Sequence, residues 1–172
     1  MAIRNILNKD EDVLRKKSRE VTVFDDKLSA LVDDMFDTLK KADGAGLAAP
    51  QVGILRRVVV IDVGDGPIEL INPEIVKTSG KQHEVEGCLS CPNDWGYVVR
   101  PAKVKCRAKN RRGETVEYNA EGLFARCICH ELDHLEGRLF IDVSDRMLTP
   151  EEVDEMLNGG ESSNGKKKKK HK

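Results

Sequence analysis

The sequence contains no apolar run near the roughly 18 residues that a membrane-spanning helix requires. Its opening, MAIRNILNKDEDVLRKK, alternates charge with single apolar residues and has no signal-peptide core. A membrane protein and an exported protein are both disfavoured, and a reducing cytoplasm is the expected compartment. Internal repeats are absent. So is an even complement of cysteines: the five, at 88, 91, 106, 127 and 129, suggest metal ligation or packing instead of a disulfide framework. The body also lacks a basic patch. The net charge of −1 conceals six lysines between 166 and 172, without which 23 basic residues face 30 acidic ones. DNA is therefore not an expected partner.

At 172 residues, with 39% apolar and 34% charged positions, the chain has the length and core content of one domain. Residues 1–158 are expected to form it. The remainder, GGESSNGKKKKKHK, is Gly/Ser-rich and then a charge run, a composition that predicts a disordered Lys-rich tail over 159–172.

Leu28, Leu31, Val32, Met35, Phe36 and Leu39 recur at helical spacing, with Asp25 or Asp26 as cap and Gly44 beyond the end. RRVVVIDV (56–63) reads as a strand, and IELINPEIV (68–76) as another broken by Pro73. VVRPAKVKCRAKN (98–110) and ETVEYNA (114–120) flank NRRGE, a hairpin turn, and place Cys106 on a core-facing strand position. Glu121 to Glu136 reads as a helix ending at Gly137. A last short helix begins at TPEEVDEML, with Thr149 as cap and Pro150 at its first position. The order, helix then several antiparallel strands then helix, predicts an α+β domain.

The stretch CICHELDHLEG (127–137) carries the chemistry. His130 and His134 lie four apart, so a helix brings both imidazoles to one face, with Glu131 beside the first. Two histidines leave an ion short of ligands. A third histidine in the metzincin pattern would fall at Phe140, which binds no metal. Glu151, Glu152 and Glu155 sit on the terminal helix beside the tail, a poor footing for a rigid ligand, and His83 lies in a strongly polar stretch. The cysteines of EGCLSCP (86–92) are better placed. Cys88 and Cys91 together would complete a closed structural zinc site, although 38 residues separate them from His130, against the usual ~12–15. Cys88 alone would leave one position open for water, the mark of a catalytic site, and would give Glu131 a use. Gly87 would let backbone approach the ion closely.

GLAAPQVG (46–53), EGCLS (86–90) and HELDH (130–134), in this order, resemble the three motifs of bacterial peptide deformylases. IRNILNKDEDVLRKKSREV (3–21) and LEGRLFID (135–142) are similar to that family as well. The resemblance implies antiparallel sheets packed around a central metal-binding helix, and removal of the N-formyl group from nascent peptides beginning with formyl-methionine. It implies Cys88, His130 and His134 as ligands and Glu131 as general acid–base. The Gln51 amide and the Leu89 N–H would be oxyanion donors, with Gly46 and Gly87 as substrate-contacting positions. It further implies Fe²⁺ in the cell, with Zn²⁺ or another divalent metal as alternatives, and a transient ribosome contact. Some family members carry an arginine after EGCLS; here the run is PNDWGYVVR. Trp95, the only tryptophan, is expected to pack at the substrate rim, and Arg126 to border the methionine pocket. A different metallopeptidase and a structural zinc module are the competing classes.

Overall fold

A computed structural model describes the backbone of residues 2–169 and the side chains of residues 2–159. Helix α1 (Asp26–Ala42) starts where Asp25, in extended conformation, accepts the Leu28 N–H at 3.1 Å. It stops at Asp43, and this residue, not Gly44, takes the left-handed turn (φ 55°). Strands β1 (Gly46–Ala48), β2 (Val58–Ile61) and β3 (Ile68–Ser79) follow. Then come β4 (Gln82–Cys88), β5 (Cys91–Arg100), β6 (Lys103–Lys109) and β7 (Thr115–Glu121). Helix α2 (Gly122–Leu135), the short α3 (Phe140–Val143), β8 (Arg146–Met147) and α4 (Pro150–Lys169) complete the chain.

The strands form a five-stranded sheet in the order β1-β2-β3-β6-β7 and a three-stranded one in the order β4-β5-β8, every pairing antiparallel. Two expectations are corrected. Pro73 does not break β3; it falls where the register slips between Ile71 and Glu74, so its missing N–H costs the ladder nothing there. Residues 98–110 are not one strand. Pro101 separates β5 from β6, and the two lie in different sheets.

The helices bury both faces of the large sheet. Val58 and Val60 join Leu28, Val32, Met35 and Leu39 of α1 in one apolar cluster. Val59 and Ile61 join Leu70, Cys106, Ala125 and Ile128 in another, so α2 lies centrally, against the opposite face. Cys106 is fully buried, as its alternating strand predicts. Each large aliphatic side chain so buried contributes roughly 1.5–3 kcal/mol. A third cluster, Leu14, Cys91, Val98, Leu139 and Phe140, backs the small sheet.

Helix α4 opens with a reciprocal cap: Thr149 Oγ1 accepts the Glu152 N–H and the Glu152 carboxylate accepts the Thr149 N–H, both at 3.2 Å. Its backbone stays helical to Lys169, beyond residue 158, where composition predicts the folded domain to end; residues 170–172 of that stretch lie outside the described residues. No helix among the described residues is long and apolar enough to cross a membrane.

Candidate metal centre

Two elements converge on the site. The β4–β5 hairpin turns tightly through Leu89 and Ser90, leaving Cys88 at the end of β4, paired with Cys91 at the start of β5. Helix α2 presents His130 and His134 one turn apart, their rings 5.1 Å between centroids. Cys88 Sγ lies 3.4 Å from His134 Nε2, and the potential ligand atoms of Cys88, His130 and His134 all fall within 4.8 Å of one another. Cys91 is outside this group. So is His83, which is exposed and paired with Asp145.

The donor set fits a metal ion. One thiolate and two imidazoles suit Zn²⁺ or Fe²⁺. Nδ1 of His130 is held by Glu86 Oε1 at 2.9 Å, which leaves Nε2 free of that bond for coordination. Glu86 is itself gripped. Arg100 donates to both of its oxygens, at 2.8 and 2.9 Å, and Arg126 adds a third bond at 2.6 Å. Burial would push the Glu86 carboxyl up, but the Arg100 and His130 bonds outweigh it and hold it down at about 2. Arg100 continues to Asp133 at 2.7 Å, tying the hairpin to α2 from behind.

On Glu131 burial prevails instead, raising it to about 7. Its Oε2 has no hydrogen-bond partner among the described residues, and its other oxygen lies against Gly46. The Cys91 thiol, burial and the Glu131 charge together push Cys88 above the ordinary thiol range. A coordinated cation reverses that preference, because a ligating thiol is deprotonated outright.

Gln51 is 1% exposed. Its Oε1 accepts the Ala48 N–H at 2.9 Å, which fixes the amide so that Nε2 reaches Ser90 Oγ at 3.0 Å and points toward Cys88 Sγ at 3.6 Å. The N-terminal segment backs both motifs: Leu7 N–H donates to the Gln51 carbonyl and Lys9 N–H to that of Ser90, each at 2.8 Å.

The site opens on a cavity of about 480 Å³. Asp43 to Gly46 form one wall, Val85 to Leu89 with Trp95 a second, and Leu123, Arg126, Cys127, His130 and Glu131 the third. Trp95 is half-buried with its ring directly behind Gly87, where an added Cβ would overlap it. Arg126 does border the cavity, but its guanidinium is occupied by Glu86 and the Val98 carbonyl. A sequence profile of the polypeptide deformylase family matches residues 3–149. The chain belongs to that family.

Relatives agree over most of their length. Peptide deformylase 1 of Clostridium acetobutylicum is 61% identical over 142 residues, 83% of this chain and 95% of its own. The peptide deformylase of Caldicellulosiruptor bescii is 52% identical over 161 residues, 94% and 97% of the two chains. The crystal structure of the Thermotoga maritima peptide deformylase superposes with a TM-score of 0.83 at 42% identity, covering 84% of this chain and 99% of that one. The Legionella pneumophila peptide deformylase does so at 0.81 and 41%, covering 99% of each. As a peptide deformylase the chain is a metal-dependent hydrolase that removes the N-formyl group from nascent peptides.

The supporting network of Glu86, Arg100 and Asp133 carries no local sequence signal. Glu86 and His130 are 44 positions apart and Arg100 and Asp133 are 33. The one available clue is that Arg100 lies two positions after Val98, on the same side of its strand, and Val98 is fully buried.

Proposed function

We propose that Cys88, His130 and His134 hold the deformylase metal, Fe²⁺ in the cell, with Zn²⁺ or another divalent transition metal as alternative occupants. A divalent ion there supplies Lewis acidity, activating water at neutral pH and polarising a carbonyl. The chain's own groups do the rest. Glu131 accepts the proton of the attacking water and delivers it to the departing amide nitrogen, so that water and the formyl amide become formate and a free amine. The Gln51 amide and the Leu89 N–H steady the negative charge that grows on the formyl oxygen; one such donor is typically worth ~10²–10³ in rate. Gly46 and Gly87 offer the peptide bare backbone on two walls of the cavity, their missing side chains making room for Glu131 and for the Trp95 ring.

The observation that carries this reading is a close donor triad, of which Cys88 and His130 line an open cavity, with a buried carboxylate beside it. Residues 1–158 form the catalytic unit. The Lys-rich segment 159–172 lies outside it and makes a transient, salt-sensitive contact with the ribosome, and the enzyme works in the cytoplasm. Metal content and formate release from a formyl-methionyl peptide test the ligand set. Cys88→Ala loses most of both, while Cys91→Ser keeps both. Equal metal loss in the two variants would instead mean a closed Cys₂His₂ site.

A further inference from the structure

Cys88 and Cys91 face each other directly across the two-residue turn of Leu89 and Ser90. Opposed residues of an antiparallel pair lie on the same side of the sheet, with Cα atoms about 4.5–5.5 Å apart. A disulfide requires a Cα separation of 4.4–6.8 Å, so this pairing meets its spacing without moving the backbone. The two cysteines differ in access. Cys88 is half-buried on the cavity wall, and Cys91 is 1% exposed, packed among Leu14, Val98, Leu139 and Phe140. The other three, Cys106, Cys127 and Cys129, are buried on different elements, and desolvation raises each of their thiols to about 11 or 12.

We propose that Cys88 and Cys91 form a dithiol site that small hydroperoxides oxidise to a disulfide, reversibly silencing the enzyme. The Cys88 sulfur attacks the peroxide, breaking its O–O bond and becoming a sulfenic acid, while the other oxygen leaves as water or an alcohol. Cys91 sulfur then displaces hydroxide from Cys88 sulfur, forming the S–S bond, and its proton goes to the hydroxide to give water. Two thiols lose two electrons and the peroxide gains them. An accessible thiol beside a resolving one is the arrangement that stops at this reversible level; a thiol without such a partner proceeds to sulfinic and sulfonic acids. Cys91 therefore protects Cys88 from permanent loss. Because a disulfide sulfur is no thiolate ligand, oxidation also releases the metal, an outcome that rests on Cys88 being a ligand.

The test is hydrogen peroxide treatment of the metal-loaded enzyme, read by intact mass, free-thiol count and metal content. The expected product is lighter by two hydrogens, has lost two of its five thiols with residues 88 and 91 joined in the peptide map, and has shed its metal. Dithiothreitol followed by metal restores activity. Cys91→Val and Cys91→Ala start with parental activity, instead gain oxygen at Cys88, and do not recover. A parent that gains oxygen at Cys88, or recovers no better than the variants, overturns the proposal. A disulfide that forms while the metal stays bound supports the dithiol site and overturns the assignment of Cys88 as a ligand.

Discussion

Gly46 and Glu131 touch. A Cβ built on Gly46 would lie 2.8 Å from Glu131 Oε1 and 3.0 Å from its Cγ, too close for either to stay in place. Strand β1 thus sets the position of the carboxylate on α2 by having no side chain at this point. Gly46→Ala should leave metal content near the parent's while pushing the carboxylate aside. A misplacement of about 1 Å near the reacting atoms costs on the order of 10²-fold in rate. Steady-state kinetics on a formyl-methionyl peptide should show that loss mainly in kcat. Unchanged turnover would mean that Glu131 swings clear at no cost.

Glu131→Gln preserves size and shape but removes proton acceptance. Metal content and Tm should match the parent, and kcat should fall by at least ~10²-fold, the usual scale for a positioned acid–base group. If the variant deformylates at nearly the parental rate, Glu131 is not the acid–base. If it sheds its metal, Glu131 is a ligand or supports one.

Glu86 is 4% exposed and pairs with two guanidiniums, Arg100 and Arg126, that are 7% and 5% exposed. Glu86→Gln keeps the shape but leaves the buried Arg126 without its counter-charge and Arg100 with Asp133 alone. Breaking a buried pair in this way costs about 3–5 kcal/mol, and losing the partner of a ligating histidine typically weakens metal binding by roughly 10–100-fold. Urea unfolding and metal titration would read the two effects separately. A variant with parental stability and affinity would show that the arginines find other partners.

How much of this was legible in the sequence divides along the distance over which each signal acts. The α1 cap, the Asn110–Glu114 turn and the Thr149–Glu152 cap depend on residues a few positions apart, and they are readable as such. The pairing of His130 with His134 is equally local. The join of EGCLS to HELDH, over about forty residues, is narrowed to Cys88 and Cys91 by eliminating other ligands, and likeness to a family chooses between an open and a closed site. Pro73 and Pro101 show the opposite errors. Pro73 reads as a break but sits in a slip of register, where a missing N–H is tolerated. Pro101 reads as part of a continuous strand but marks the crossing between sheets. Nothing local distinguishes them, because what differs is the neighbouring strand. Asp43 in place of Gly44 at the end of α1 is a smaller case of the same kind: aspartate tolerates the left-handed turn, and tertiary fit decides between the two.

Cutting the chain after Asn158 should leave Tm and turnover of a short formyl-peptide near the parental values, since none of the three apolar clusters includes a residue beyond it. Six lysines are removed with the segment. Their attraction to a polyanion is salt-dependent, so co-sedimentation with ribosomes at low salt should weaken on truncation and the difference should vanish at high salt. Identical sedimentation of both forms at low salt would remove the ribosomal role.

Strand β2 has four consecutive buried residues, two facing each apolar cluster. A slip of one residue ordinarily drives a strand's apolar side into water and is forbidden for that reason. Here it would merely exchange one oily environment for another, so hydrophobicity supplies no index mark. The alignment is instead dowelled at both ends by main-chain bonds: Arg57 N–H to the Arg19 carbonyl at 2.9 Å, Asp62 N–H to that of Ala45 at 2.9 Å, and Asn72 N–H to that of Arg57 at 2.8 Å. Asn72 also clips Val21 with its side chain, giving and accepting at 2.8 Å. Because the Gln51 loop is slung between β1 and β2, the aim of its amide is calibrated by these few bonds on the far side of the sheet's edge residues.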